Sequence, residues 1–204
     1  MTEIRVLIVE DEPLIAEDIA DSLTKNDYRV AGIAYSSEKA LDLLYTRQPD
    51  IAILDINIKG SMTGIDLGHI INEKYKIPFV FLTSFGDKAT VNEAIQTMPY
   101  GYVLKPFSDM ELYSSLEVAL KRFGSEHKAA FPALEAINAE LHGALTIKEY
   151  EVLQDLCKGL NNKQISELQF ISVNTVKSHV RQILTKLDAP NRTSVIHWVS
   201  EIGK

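Results

Sequence analysis

Four short apolar runs in the first half of the chain each lead into residues that can handle phosphate or metal. Ile4-Arg5-Val6-Leu7-Ile8-Val9 is followed by Glu10-Asp11, and Ile51-Ala52-Ile53-Leu54 by Asp55. Phe79-Val80-Phe81-Leu82 leads into Thr83-Ser84, and Tyr102-Val103-Leu104 into Lys105-Pro106. Three carboxylates, a hydroxyl and an ammonium on one sheet edge could hold a divalent cation and a phosphoryl group together. Phosphoryl transfer asks of a protein mainly positioning and charge neutralisation. Asp55 could attack phosphorus as a carboxylate nucleophile and form an acyl phosphate. Mg²⁺ takes a few carboxylate oxygens plus waters and substrate phosphate, and Glu10, Asp11 and Asp55 could supply the carboxylates. Lys105 would meet phosphate as a point charge, and Thr83 would donate a hydrogen bond to a phosphoryl oxygen. A cis Lys105–Pro106 bond would aim the ammonium inward. Each residue also has a plainer reading: Asp11 and Thr83 as caps, Asp55 as a loop start, Lys105 as a solvated charge. The plainer readings do not explain why all of them fall at the same end of four strands, where open α/β sheets carry their sites.

The elements that must position these groups alternate. Strands are expected at 4–9, 29–34, 51–54, 78–82 and 101–104, with helical patterns at 13–25, 37–47, 64–75, 88–97 and 108–122. Parallel strands need crossover helices, so this order implies a parallel sheet covered on both faces. Five βα units in about 120 residues is the size of a flavodoxin-like α/β domain. Pro13 suits a first helical turn, with Asp11 as the cap. From 123 to 143 the pattern weakens into a linker carrying one short helix over 133–142. Beyond it only helical periods occur, at 147–158, 162–169, 173–187 and 192–201. Their start signals are Thr146 with Glu149, Asn161, Ser172 and Asn191.

Composition bounds the rest. Apolar content of 46% and charged content of 24% are those of an ordinary globular protein. No apolar run approaches the ~20 residues of a membrane span, and the N-terminus lacks signal-peptide features. Cys157 is the only cysteine, which excludes disulfides and cysteine metal sites within the chain. A cytoplasmic location with no membrane partner is the expectation. Residues 145–204 carry eight Lys/Arg against six Asp/Glu, or +2; the remainder carries 13 against 22, or −9. That asymmetry points to different partners for the two halves.

Glu10-Asp11, Asp55, Thr83 and Lys105-Pro106, in that order and on those strands, resemble the receiver domain of two-component response regulators over residues 1–122. The resemblance implies that Asp55 accepts phosphate from a sensor histidine kinase. It also implies Mg²⁺ on Glu10, Asp11, Asp55 and the Asn57 carbonyl, and a switch pair formed by Thr83 and Tyr102. Two features depart from the family. The loop from Ile56 to Gly64 lacks the usual proline and reads one residue longer, and Phe85 is apolar where the family tunes hydrolysis.

In the tail, a helix near 162–169, a short turn and a capped helix from Val173 make a helix-turn-helix layout. Val173, Val176, Val180, Ile183, Leu184 and Leu187 recur at three-four spacing and should form the buried stripe. Lys177, Ser178, Arg181 and Gln182 fall outside it, and no acid occurs from 168 to 187. Such a face could lie in a DNA major groove, or could be a solvated surface. Leu145-Thr146, Glu149, Gly159, Asn162-Lys163, Thr175-Val176-Lys177, His179 and Asn191-Arg192-Thr193 resemble the LuxR-type helix-turn-helix domain over residues 144–204. The resemblance implies double-stranded DNA as partner, Lys177, Ser178 and Arg181 as DNA-facing residues, and a homodimer on phosphorylation. Cys157 reads as a packed thiol and Trp198 as core or dimer surface, and the histidines show no paired metal-ligand spacing.

Taken together these features lead us to expect a phosphorylation-controlled transcriptional regulator and not an enzyme. A Mg²⁺-dependent aspartyl-phosphate phosphatase is the alternative of another class. It would want Asp-x-Asp-x-Thr on its first strand, whereas the chain reads Asp55-Ile56-Asn57-Ile58 on its third. An adaptor whose helical tail only dimerises is the third reading.

Overall fold

The computed structural model describes residues 3–26, 28–84, 88–127, 131–141 and 143–202. The chain divides into two compact units, one spanning Ile4–Leu120 and one running from Lys121 onward, with which Glu3 also groups.

The first unit holds five parallel strands: β1 (Arg5–Val9), β2 (Arg29–Ala34), β3 (Ile51–Asp55), β4 (Phe79–Thr83) and β5 (Gly101–Leu104). Their order in the sheet is β2-β1-β3-β4-β5. Every residue of β3 and β4 is buried, which is why both read as unbroken apolar runs. Alternate residues serve opposite layers. Val6, Ile8, Ile53, Val80 and Val103 pack with α1 (Pro13–Lys25) and α5 (Asp109–Glu126) through Ile19, Leu23, Leu112 and Leu116. Leu7, Leu54, Phe79 and Phe81 pack with α2 (Ser37–Arg47), α3 (Gly64–Ile70) and α4 (Lys88–Gln96) through Leu44, Leu67 and Ala94. Each large side chain buried this way contributes about 1.5–3 kcal/mol.

Three local expectations are corrected. The N-cap of α1 is Glu12, not Asp11, and no side chain caps that end. The helix expected over 64–75 stays α-helical only to Ile70 and then widens into a π turn, Ile71–Tyr75, closed by Lys76 at φ 51°. Within that turn the Asn72 amide reaches the Thr97 carbonyl at the end of α4. Helix α5 runs on to Glu126, through the first four residues read as linker. Phe123 is buried, and a Cβ on Gly124 would lie 2.6 Å from the Cys157 carbonyl oxygen. Glycine there permits close packing and does not mark a helix end.

The second unit is helical beyond that point: α6 (Leu134–Ala139), α7 (Ile147–Cys157), α8 (Asn162–Gln169), α9 (Val173–Lys186) and α10 (Arg192–Ile202). Thr146 and Asn161 each form a reciprocal capping box, with Glu149 and Gln164. Ser172 accepts from Thr175 N–H at 3.0 Å and Asn191 from Ser194 N–H at 2.7 Å. Such caps are worth about 1 kcal/mol each. Val152, Leu153, Ile165, Val176, Val180, Ile183, Val195 and Val199 form the interior. Val173 does not join it; as the first residue of α9 it is 38% exposed. Cys157 is packed as expected, and burial pushes its thiol pKa up to about 12.

Candidate functional site

The strand register sets the heights of the polar groups at the carboxyl edge of the sheet. Val9 lies level with Leu54, and Asp55 with Leu82, so Glu10 and Asp55 start from the same height. Thr83 is level with Leu104. Asp55 is 6% exposed and Glu10 fully buried. Asp11 turns into this cluster: one carboxylate oxygen each from Glu10, Asp11 and Asp55 lies within 4.8 Å of the other two.

Lys105 reaches back from the end of β5. Its Nζ lies 2.5 Å from Glu10 Oε2 and 2.7 Å from Asp55 Oδ2, and the Lys105–Pro106 bond is cis. The second Asp55 oxygen accepts from Asn57 N–H at 3.0 Å, and Glu10 Oε1 accepts from Glu12 N–H at 3.2 Å. Burial, reinforced by the nearby Asp55 charge, raises the Glu10 pKa although Lys105 opposes it. Burial also works to lower the Lys105 pKa, but its hydrogen bonds to Asp55 and Glu10 prevail and hold it above the ordinary value. The ammonium is therefore a firmly charged clamp between two carboxylates.

Around this clamp sit three further residues. The Thr83 hydroxyl, 9% exposed as a residue, donates to the Ser84 carbonyl at 2.6 Å. Tyr102 on β5 is 41% exposed and its ring lies 5.8 Å from that of Phe81. Lys59, which no spacing singled out, places its Nζ 3.0 Å from Asp11 Oδ2. Phe85 lies outside the described residues. Three hard carboxylate donors, already drawing two ammonium groups, fit Mg²⁺ well.

The other candidate surface is on α9. Asn174, Thr175, Ser178, Arg181 and Gln182 are exposed along it, with Lys177 half-buried and paired to Glu3 at 2.6 Å. Val176, Val180 and Ile183 hold the opposite face in the interior. In the turn ahead of α9, Phe170 adopts φ 54° and is 94% exposed.

Comparison with known proteins matches residues 6–117 to the response regulator receiver domain and residues 143–199 to the bacterial regulatory proteins of the luxR family. The chain belongs to the LuxR-type response regulators. It is 32% identical to the transcriptional regulatory protein LiaR of Bacillus subtilis over 198 residues, covering 93% of each chain. The response regulator ChrA of a heme-sensing two-component system is similar over 96% of both chains, with 27% identity and a TM-score of 0.51. A signal receiver domain from Desulfovibrio desulfuricans G20 matches 56% of this chain and 91% of its own, with 33% identity and a TM-score of 0.54. The response regulator thus has a five-stranded α/β receiver followed by a helical DNA-binding domain. No helix among the described residues is long and apolar enough to cross a membrane.

Proposed function

We propose that this response regulator takes phosphate on Asp55 from a sensor histidine kinase and converts it into a change in DNA binding or dimerisation in the cytoplasm. The observation that carries this reading is the buried Asp55 carboxylate, 2.7 Å from the Lys105 ammonium and within 4.8 Å of Glu10 and Asp11. An Asp55 oxygen forms the new P–O bond as the donor's P–N bond breaks, leaving an acyl phosphate and the free imidazole. Glu10, Asp11, Asp55 and the Asn57 carbonyl would hold Mg²⁺, which supplies charge neutralisation for the phosphoryl oxygens. Lys105 then shifts part of its bonding from Asp55 to phosphate. The Thr83 hydroxyl gives up the Ser84 carbonyl for a phosphoryl oxygen, and Tyr102 turns inward from its exposed position. These two movements bias the receiver toward a second conformation.

On this reading residues 1–122 receive the signal, 123–143 connect, and 144–204 bind double-stranded DNA as a homodimer. Lys177, Ser178 and Arg181 meet the duplex, the two cations offering charge to phosphates or guanine edges. Asp55 is an input and not a turnover site. Asp55→Asn should abolish labelling by acetyl phosphate with Mg²⁺ and leave the fold intact; full labelling of that variant would reject the assignment. Selection of genomic DNA with and without beryllofluoride and Mg²⁺ tests the coupling. Identical selected sequences and affinities in both states would reject it.

A further inference from the structure

We infer that Lys59 is a built-in competitor for the metal site, an ammonium that neutralises Asp11 and must be displaced before a divalent cation binds. The inference rests on the reading of Glu10, Asp11 and Asp55 as cation ligands. Lys59 Nζ lies 3.0 Å from Asp11 Oδ2, on a lysine side chain that is 74% exposed, whereas that of Asp11 is only 16% exposed. The second ammonium at the cluster, Lys105, is largely buried and bonded to Glu10 and Asp55. The cluster is thus covered by two unequal cations, one fixed in the floor and one held at the mouth.

Lys59 is not a stray surface lysine, because the loop that carries it is pinned on both sides. Ser37 N–H donates to the Lys59 carbonyl at 2.9 Å. Glu38 accepts from Ser61 N–H at 2.8 Å, and the Ser37 hydroxyl accepts from Met62 N–H at 3.3 Å. Between these anchors Gly60 adopts φ 127°, and a Cβ there would fall 2.1 Å from Ser37 Oγ. The hydrogen bonds from Ser61 hold the Glu38 pKa down to about 2, so this anchor stays charged at any ordinary pH. At the other end Gly64 N–H donates to the Ile56 carbonyl at 2.9 Å. The loop backbone is fixed to the first turn of α2, and only the four methylenes of Lys59 are free to swing.

The physical consequence is competition. A dication bonded to Asp11 and an ammonium on the same carboxylate repel each other, and the flexible exposed group yields. Displacing it forfeits only an exposed ion pair, a weak interaction that salt screens further. Lys59 therefore sets how much Mg²⁺ the regulator needs without closing the site.

The test is calorimetric titration of the full chain with MgCl₂ in low salt, without any phosphodonor. Lys59→Ala should bind Mg²⁺ about two- to fivefold more tightly than wild type. Lys59→Arg, which keeps the charge, should stay near wild type, and Lys59→Glu should exceed the alanine gain. The differences should shrink as NaCl rises toward ~0.5 M. Equal or weaker binding by Lys59→Ala, with an unchanged melting temperature in EDTA, would overturn the competitor role while leaving the metal site standing. Absence of Mg²⁺ binding in wild type and all three variants would overturn both.

Discussion

Glu10 and Glu149 are both buried glutamates bonded to a lysine, one in the receiver and one in the DNA-binding unit, and their surroundings push them in opposite directions. Glu149 is the third residue of α7. It accepts from Thr146 N–H at 2.7 Å and pairs with Lys186 at 2.7 Å, and Lys186 also donates to the Ala144 carbonyl at 2.8 Å. One acid meets one base. Burial works to raise the Glu149 pKa, but Lys186 and Thr146 outweigh it and the carboxyl sits below its ordinary range. Glu10 shares one buried lysine with Asp55, and burial leaves it raised. The neighbouring buried charges of the helical unit are each held by polar partners, Asp155 by a lysine like Glu149 and Arg192 by neutral acceptors. Asp155 binds Lys158 and Gln169, and Arg192 binds Asn162 and the Leu160 carbonyl. Matched buried charge ties helices together; a surplus of one sign is a site that expects a ligand.

The contrast can be broken most directly by removing one partner on each side. Lys186→Met should cost the helical unit about 2–3 kcal/mol, because it leaves Glu149 buried without its cation. Urea unfolding followed by Trp198, the single tryptophan, reads that unit. Glu10→Gln should leave the metal-free fold as stable as wild type or more so, while weakening Mg²⁺ binding. A comparable destabilisation by both variants would erase the distinction. Acid sharpens it. The Glu149 pKa is lowered on folding, so its contribution is present above its unfolded value of about 4.5 and is lost as pH falls through the lowered folded value. Trp198 fluorescence should report loss of stability below pH ~4.5, and Lys186→Met should flatten that dependence.

Smaller effects test the exposed charge and the exposed turn. Arg181→Ala should change stability by under ~0.5 kcal/mol yet weaken DNA binding about tenfold with a flatter salt dependence, read by fluorescence anisotropy. Undiminished binding would class Arg181 as plain surface. Phe170→Gly should stabilise the helical unit by about 0.5–1 kcal/mol. Left-handed backbone costs phenylalanine about 1–2 kcal/mol, and glycine's chain entropy offsets part of the gain. Loss of stability would mean that Phe170 packs in solution.

Much of this architecture is legible before any coordinates, for identifiable reasons. Buried parallel strands cannot alternate in polarity, so Ile51–Leu54 and Phe79–Leu82 declare themselves and their polar termini. The boxes at Thr146 and Asn161 mark helix starts because backbone N–H groups there need side-chain acceptors. What escapes the sequence depends on distant partners. Residues 123–126 read as linker because nothing local shows Phe123 buried or Gly124 close beside Cys157. Asp11 reads both as a cap and as a metal-site carboxylate, and only the fold separates the two, with Glu12 at the N-cap and Asp11 beside Glu10 and Asp55. The π turn after Ile70 accompanies a contact of Asn72 with Thr97, 25 residues away. Lys59 carries no signal at all, since two helices and two strands separate it from Asp11 along the chain.

The strand register has one more consequence, which is metric. Counting from the height of Asp55, Thr83 stands one step above and Lys105 two, each step being about 3.3 Å along a parallel strand. Only the top step needs a long reach: a carboxylate at the bottom, a compact hydroxyl on the middle step, and four methylenes hanging down from the top. The sheet acts as a ruler and the side chains as plumb lines cut to fit it. A one-residue slip of β5 against β4 would leave every residue in place in the sequence and still turn the ammonium to the wrong face of the sheet.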